Sequence, residues 1–307
     1  MNSTADNKIK TQVTRRRAFS PKDRLTLGVF IGVPTALHVL LVWIPAVATI
    51  GLSFTYWTGI HISDIKWAGF ANYHNIFFST PVFWQALKDN VIWLAWFGLI
   101  ATPLGILLAY QIDRQIRGHA FFQTAYYIPV VLSLAVTGII WNFMLRPDGF
   151  INGILGKDIT NPISFFGDDR WNLYVILTMA SWRHIGYIML LYLAGLKAVD
   201  PALREAAALD GATEWETFKK IILPTMRPVN IIVLVITMIE SLRAFDIVYI
   251  IYGTSGAQVP ILGTLVFQNI SGEGQSMKGA AYATLLFILS IGPIIAYLRQ
   301  SFKEDVK

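Results

Sequence analysis

The chain has 307 residues, of which 14% are charged and 54% are hydrophobic, and its mean hydropathy is +0.52. A soluble domain carries about 25% charged residues, so the composition excludes a soluble fold and a disordered chain and indicates a membrane protein. Cysteine is absent, which excludes disulfides, thiolate metal sites and a cysteine nucleophile.

Stretches without Lys, Arg, Asp or Glu mark the candidate membrane spans, since a spanning helix needs about 20 predominantly apolar residues. Two further apolar stretches contain a few ions and are counted as spans as well. Pro34 and Pro45 predict a bend in the first span. The sequence thus predicts six transmembrane helices, at residues 27–53, 88–112, 120–145, 173–196, 228–252 and 279–299.

The distribution of Lys and Arg predicts the orientation of these spans. Seventeen Lys and Arg residues lie before the first predicted span, after the last one, or in the second and fourth loops between spans. Only five lie in the other loops between spans. Both termini are therefore expected in the cytoplasm, with a basic segment at 1–26, one six-span domain at 27–299 and a tail at 300–307. The basic run at 15–17 is interpreted as an orientation signal that anionic headgroups attract, not as a nucleic-acid site.

The inner loop at residues 197–227 begins with the pattern of a short helix. Asp200 supplies an acidic N-cap, and Pro201 is preorganised for the first helical position. Gly211 provides the permissive backbone at which such a helix ends. We therefore predict a helix at residues 201–209 that is followed by a sharp turn.

A second short helix is predicted directly after that turn. Thr213 and Glu216 form a T-x-x-E capping box, and Pro224 is expected to end the helix. Its apolar side chains share one face, whereas Glu216 and Lys220 form a pair on the other face. This helix–glycine–helix unit is too ordered for a simple connector, which favours a docking role. A turn that folds under the helix bundle is the alternative.

The same loop resembles the EAA loop of ABC-importer permeases that use a separate binding protein. Its Asp-Gly-Ala form is similar to the carbohydrate branch of that family, of the maltose and glycerol-phosphate importer type. The segments 69–73 and 193–196 resemble further patterns of this branch. The loop residues that carry the resemblance are Glu205, Ala206, Ala207, Asp210, Gly211, Ala212, Phe218 and Pro224.

The resemblance implies an all-α membrane protein with the type I ABC importer permease fold, in the cytoplasmic membrane of a bacterium or an archaeon. Two homologous permeases, usually non-identical, pair to form one translocation pathway, and an extracytoplasmic solute-binding protein delivers the sugar. The loop is then a cytoplasmic coupling helix that docks on an ATP-binding-cassette ATPase subunit, and the eight loop residues are expected to couple ATP hydrolysis to transport.

The chain has no Walker A motif of the form G-x-x-x-x-G-K-[ST]. ATP and Mg²⁺ are therefore expected on the partner ATPase, and we predict no catalytic, cofactor or metal site in this chain. An intramembrane enzyme is disfavoured because no HExxH, GxSxG or paired-Asp motif lies in a predicted span. The alternative function is a stand-alone ion-coupled secondary transporter, with Glu240 or Asp246 as the coupling residue.

Three ions lie in the predicted fifth span, where each costs about 2.5–3.5 kcal/mol unless it is compensated. Arg243 lies three residues from both Glu240 and Asp246 and can reach either acid on the same helical face. Arg183 in the fourth span would then balance the remaining acid. Three interpretations are open: a structural ion cluster, a polar patch that binds sugar hydroxyls, and a proton relay.

Sugars bind with their ring faces against aromatic side chains and with their hydroxyls to polar groups. Packing within the bundle is the alternative role for each single candidate. His38 and His184 lack a second metal ligand at a suitable spacing, so both are predicted to be packed or hydrogen-bonded. The candidates for the substrate pathway are Trp141, Asn142, Trp182, Tyr187, Glu240, Arg243, Asp246 and Tyr249.

Overall fold

The structure, a computed structural model, describes residues 20–57, 61–115, 117–157, 160–168, 170–253, 258–271 and 276–304. Within these ranges the chain is predominantly helical, with one antiparallel pair of two-residue strands. It divides into a first unit that ends at Ala48 and a second unit that begins at Thr49. Most of the predicted basic segment 1–26 and part of the tail 300–307 lie outside the described residues.

The elements before residue 115 include the first two predicted spans. They are α1 at Pro21–His38, α2 at Ile44–Leu52, β1 at Thr55–Tyr56, β2 at Lys66–Trp67, α3 at Ala71–Ser79, α4 at Pro81–Trp96 and α5 at Thr102–Asp113. The middle elements are α6 at His119–Val131, α7 at Leu134–Leu145, α8 at Phe150–Ile154 and α9 at Asn172–Ala198. The last are α10 at Pro201–Leu209, α11 at Glu214–Thr217, α12 at Leu223–Thr225, α13 at Arg227–Leu242, α14 at Asp246–Tyr252, α15 at Leu262–Ser271 and α16 at Ser276–Glu304.

Three helices of the described chain are long and apolar enough to cross a membrane: Pro21–Leu52, Pro81–Asp113 and Asn172–Ala198. A fourth crossing results if the bent pair of α6 with the segment Leu134–Ile154 forms one span, and Met277–Gly292 is a shorter apolar helix. No side chain of the apolar window in Pro21–Leu52 is buried within the chain. A helix that is apolar on all sides and uncovered is typical of a membrane span.

Three π-helical turns each end two residues before a proline: Val39–Trp43 before Pro45, Phe97–Ala101 before Pro103, and Phe218–Ile222 before Pro224. A proline inside a helix removes one hydrogen bond, and its ring clashes with the carbonyl four residues earlier. A π turn widens the helix at that carbonyl and accommodates the ring. The helix of the first predicted span therefore continues past Pro45.

The predicted third span at residues 120–145 consists of two helices instead of one. α6 ends at Val131, and the following helical segment is bent by 106° relative to it. Leu132 is extended, and Ser133 caps the new helix because its hydroxyl accepts a hydrogen bond from the Val136 backbone N–H at 3.2 Å. A serine N-cap starts a helix in a new direction.

The predicted fifth span at residues 228–252 is also interrupted. α13 ends at Leu242, and α14 begins at Asp246. Between them Arg243 has φ/ψ of −88°/6° and Phe245 has −146°/−54°, which takes the backbone out of the helical path. The expectation of one continuous helix is therefore wrong, and so are the helical contacts of Arg243 that depended on it.

α9 forms the centre of the second unit, since buried hydrophobic clusters cover both halves of its length. Ile176 and Met179 belong to one cluster, and Ile188 and Met189 belong to the other. In a membrane span such packing stabilises the fold through van der Waals contact, because lipid tails are as apolar as these side chains. α5 approaches α9 closely, because a Cβ on Gly105 would stand 2.8 Å from the Cβ of Ile188.

Candidate functional site

The inner loop begins with the short helix that its sequence predicts. α10 runs from Pro201 to Leu209, and the Asp200 carboxylate accepts a hydrogen bond from the Ala202 backbone N–H at 2.9 Å. Gly211 then turns the chain with a φ of +78°, a conformation in which a side chain is strained. The predicted helix, its cap and the turn that follows are confirmed.

The predicted capping box at the start of α11 is present. The Glu216 carboxylate accepts a hydrogen bond from the Thr213 backbone N–H at 3.1 Å, and the Glu216 backbone N–H donates to the Thr213 hydroxyl at 3.3 Å. Lys220 donates to the same carboxylate at 3.0 Å. The hydrogen bonds from Lys220 and Thr213 lower the pKa of Glu216 to about 2, so this loop carboxylate is ionised at neutral pH.

Pro224 does not end this second helix, so that prediction is wrong. The π-helical turn at Phe218–Ile222 leads directly into α12, which includes the proline. The helical path is interrupted only at Met226, where φ/ψ is −79°/22°. The wider π turn accommodates the proline ring that would interrupt a regular helix.

The eight loop residues of the EAA pattern divide into a buried and an exposed set. Ala207 and Phe218 are 2% and 3% exposed and hold the loop against the helices, and Ala212 is half-buried. Leu209, which is 89% exposed, stands at the end of α10 beside the exposed set. The exposed members are Glu205, Ala206, Asp210, Gly211 and Pro224.

Two residues outside the predicted site contact this loop. Asp113, at the end of α5, accepts a hydrogen bond from Arg204 at 2.6 Å. Arg114 forms an ion pair with Glu214. Asp113 and Arg204 are 91 positions apart, and no local pattern links residues at that separation. Only their opposite charges, in two loops that the sequence predicts on the same side of the membrane, hinted at the contact.

A cavity of about 270 Å³ lies at the break between α13 and α14. Its polar lining comprises Arg183, His184, Glu240, Arg243 and Asp246. Its apolar lining includes Trp93, Phe97, Leu134 and Phe245. In the described part of the chain, no group of three or more His, Asp and Glu side chains is arranged to hold a metal ion.

Glu240 organises the polar side of this cavity. Its Oε1 lies 3.7 Å from Nη1 of Arg183, so the two spans are joined by the ion pair that Arg183 was predicted to supply. Its Oε2 lies 2.7 Å from Nδ1 of the buried His184, whose Nε2 is 3.3 Å from the hydroxyl of Thr102. Across the described ranges, no ion pair joins Arg243 to an acid.

Five of the predicted pathway residues do not line this cavity: Trp141, Asn142, Trp182, Tyr187 and Tyr249. Trp141 and Trp182 contact each other edge to face, with ring centroids 5.8 Å apart. Tyr249 stacks on Phe245, one of the lining residues, with ring centroids 5.2 Å apart. Tyr187 packs against one of the hydrophobic clusters around α9. The structure therefore gathers only Glu240, Arg243 and Asp246 at the cavity.

Comparison with known proteins identifies relatives of this chain. The family profile described as "Binding-protein-dependent transport system inner membrane component" matches residues 101–304. A xylose/arabinose import permease protein of Haloferax volcanii is 30% identical over 297 residues, which cover 95% of this chain and 92% of that protein. A trehalose/maltose transport system permease protein of Thermococcus litoralis is 28% identical over 98% of this chain and 100% of that protein.

A solved structure has the same fold. The crystal structure of a bacterial ABC transporter involved in the import of the acidic polysaccharide alginate matches with a TM-score of 0.75 and 21% identity, over 91% of this chain and 96% of that chain. The profile match spans the inner loop, α13 and α14. The chain therefore belongs to the family of inner membrane components of binding-protein-dependent transport systems, which are the permease subunits of ABC importers.

Proposed function

We propose that this chain is the membrane-spanning subunit of an ATP-driven carbohydrate uptake system. The observation that carries the proposal is the exposed inner-loop unit of α10, Gly211 and α11 in a chain of this family. Relatives named as permeases for xylose and arabinose, for trehalose and maltose, and for lactose support a carbohydrate substrate. Family membership does not support the alternative of a stand-alone ion-coupled secondary transporter.

The chain is proposed to cross the cytoplasmic membrane of a bacterium or an archaeon six times, with both termini in the cytoplasm. The excess of Lys and Arg on one side, seventeen against five, supports this orientation. The breaks in the third and fifth spans are compatible with six crossings, because irregular backbone is tolerated within a membrane where protein or a cavity surrounds it. The break at Arg243 lies at such a cavity.

The partners that we propose are a second homologous permease, two ATPase subunits and an extracytoplasmic solute-binding protein. ATP and Mg²⁺ bind to the ATPase subunits, and this chain contributes no catalytic group. Glu205, Leu209 and Asp210 are exposed on the inner-loop unit and are available to contact an ATPase subunit. In support of the binding protein, an alginate transporter with the same fold was crystallised with a periplasmic protein that holds an alginate pentasaccharide.

The cavity at the α13–α14 break is the proposed sugar-contacting part of the pathway. Glu240 is engaged by Arg183 and His184, whereas Arg243 and Asp246 are exposed at the cavity. A guanidinium offers hydrogen-bond donors and a carboxylate offers acceptors, so this pair suits the hydroxyl groups of a sugar. For Glu240, the contacts with Arg183 and His184 favour a role in a structural ion cluster over a role in binding sugar.

The proposed function is tested by reconstitution of the whole complex. The chain, its second permease, the ATPase subunits and the binding protein are placed in proteoliposomes, and uptake of a panel of radiolabelled pentoses, hexoses and disaccharides is measured with and without ATP. We expect ATP-dependent uptake of at least one sugar, and none when the ATPase subunits are omitted. Uptake by this chain alone, driven by an ion gradient without ATP, would contradict the proposal.

A further inference from the structure

Two ion pairs of opposite polarity fasten the inner loop to the cytoplasmic end of α5. Asp113 accepts a hydrogen bond from Arg204 of α10 at 2.6 Å. The next residue, Arg114, pairs with Glu214, the first residue of α11. The two partners therefore lie on either side of the turn at Gly211, one before it and one after it.

Aromatic packing lies between the two ion pairs. Tyr110 of α5 is 8% exposed, and its ring centroid lies 4.6 Å from that of Phe218 and 5.6 Å from that of Trp215. The guanidinium of Arg114 stands over the Tyr110 ring at 5.6 Å. Tyr110, Phe218 and three of the four ions, all except Asp113, line a cavity of about 360 Å³, so the loop and α5 do not fill the space between them.

The other end of α5 reaches the site at the α13–α14 break. Thr102, the first residue of α5, places its hydroxyl 3.3 Å from Nε2 of His184 and 3.3 Å from the hydroxyl of Thr237. His184 in turn contacts Glu240 at the cavity. With a rise of 1.5 Å per residue, α5 spans roughly 17 Å between Thr102 and Asp113.

We propose that Asp113 and Arg114 are positioning residues that transmit the displacement of the inner loop through α5 to the cavity. This inference rests on the proposed function. A single contact would let the loop pivot, whereas two contacts on either side of Gly211 fix its orientation to α5. The opposite charges of Asp113 and Arg114 also determine which loop residue each one contacts. If the two partners were swapped, Asp113 would face Glu214 and Arg114 would face Arg204, and like charges repel each other.

The pair of Arg114 and Glu214 is suited to transmission rather than to holding the loop folded, since its side chains are 44% and 68% exposed and exposed pairs contribute little to stability. Asp113 of the other pair is only 12% exposed, so its contact with Arg204 also contributes to the packing of the loop on α5. The buried side chains of Phe218 and Ile222 anchor the loop without the ion pairs. A change in the ion pairs should therefore alter the ratio of sugar uptake to ATP hydrolysis more than it alters assembly.

The test exchanges two neighbouring residues in the reconstituted complex. The variant D113R/R114D keeps composition and net charge but places both residues against like charges. Adding R204E and E214R restores both pairs with reversed polarity. Uptake of the transported sugar, ATP hydrolysis and retention of the ATPase subunits are measured for each complex, with Arg204→Gln and Glu214→Gln as milder variants that remove one pair at a time.

We expect the exchange variant to retain the ATPase subunits and to lower the number of sugars imported per ATP by about fivefold or more. The fourfold variant should restore most of that ratio. Three results would overturn the inference. The ratio of sugars imported to ATP hydrolysed could be unchanged in the exchange variant and in both milder variants. The fourfold variant could fail to restore this ratio, or the exchange variant could lose the ATPase subunits. Absence of ATP-dependent uptake in the unmodified complex would instead overturn the proposed function, and the inference with it.

Discussion

His184 and Glu240 join α9 to α13 through a contact of 2.7 Å between Nδ1 and Oε2, although 56 positions separate them in the chain. The same carboxylate lies 3.7 Å from Arg183, and the other ring nitrogen of His184 lies 3.3 Å from Thr102. One acidic side chain thus connects three helices at the wall of the cavity. Because His184 is buried and Arg183 and Glu240 are half-buried, their mutual contacts matter more than those of fully exposed ions.

Replacement of Glu240 by leucine is expected to destabilise the protein. It leaves the buried His184 without its acceptor and the half-buried Arg183 without its anionic partner, and loss of a buried hydrogen-bond partner costs about 1–3 kcal/mol. Glu240→Gln retains an acceptor for His184 and should cost less than half as much. Thermal unfolding of the purified protein in detergent measures both, with Asp148→Leu at an exposed position shortly after α7 as the control. Equal destabilisation by leucine and glutamine would contradict this account.

Asp246→Asn and Arg243→Gln are expected to impair sugar transport. Both side chains are exposed at the cavity, and loss of a hydrogen bond to a charged group costs about 1.5–3 kcal/mol, or roughly 10- to 150-fold in kcat/KM. Initial rates of ATP-dependent uptake in proteoliposomes, measured over a range of concentrations of the transported sugar, give this parameter. Asp148→Asn, which alters an acid outside the cavity, should leave it unchanged. Normal kinetics in both cavity variants would remove these residues from the pathway.

Gly211→Val is expected to uncouple ATP hydrolysis from uptake. A valine at a φ of +78° is strained by about 1–2 kcal/mol, although no atom within 4 Å would clash with its Cβ. The turn should therefore open and shift α10 relative to α11. Gly211→Asn is the matched control, since asparagine tolerates a left-handed conformation better. The ratio of uptake to ATP hydrolysis is compared for both, and normal coupling in the valine variant would argue against a role for the turn.

Glu216 is expected to titrate at unusually low pH. Hydrogen bonds from Lys220 and Thr213 lower its pKa from 4.5 to about 2. Because the folded pKa lies below the unfolded one, the contribution of ionised Glu216 to loop stability is complete above pH 4.5 and is lost as the pH falls toward 2. The ¹³C shift of its carboxyl group in glutamate-labelled protein reports the midpoint. Lys220→Met should raise it, whereas Lys219→Met on the neighbouring residue should not.

The sequence by itself determined the elements that depend on neighbouring residues. The Asp200 cap, the turn at Gly211 and the Thr213–Glu216 capping box each involve residues within three or four positions, so their physics is local. The EAA pattern likewise lies within one loop, and its resemblance indicated the family that the comparisons then showed. The prediction that Pro224 ends the second loop helix was wrong, because a π turn of five residues accommodates the proline ring.

The tertiary structure decided where the charged side chains of the second unit find partners. Hydropathy predicted one helix at 228–252, but the backbone breaks at Arg243, and Glu240 pairs with residues of α9 instead of Arg243. The partners of Asp113 and Arg114 in the inner loop were likewise decided by the packing of α5, since the sequence offered only opposite charges. Each such contact joins residues that are tens of positions apart, and which distant charges meet depends on how the helices pack, which no local pattern encodes.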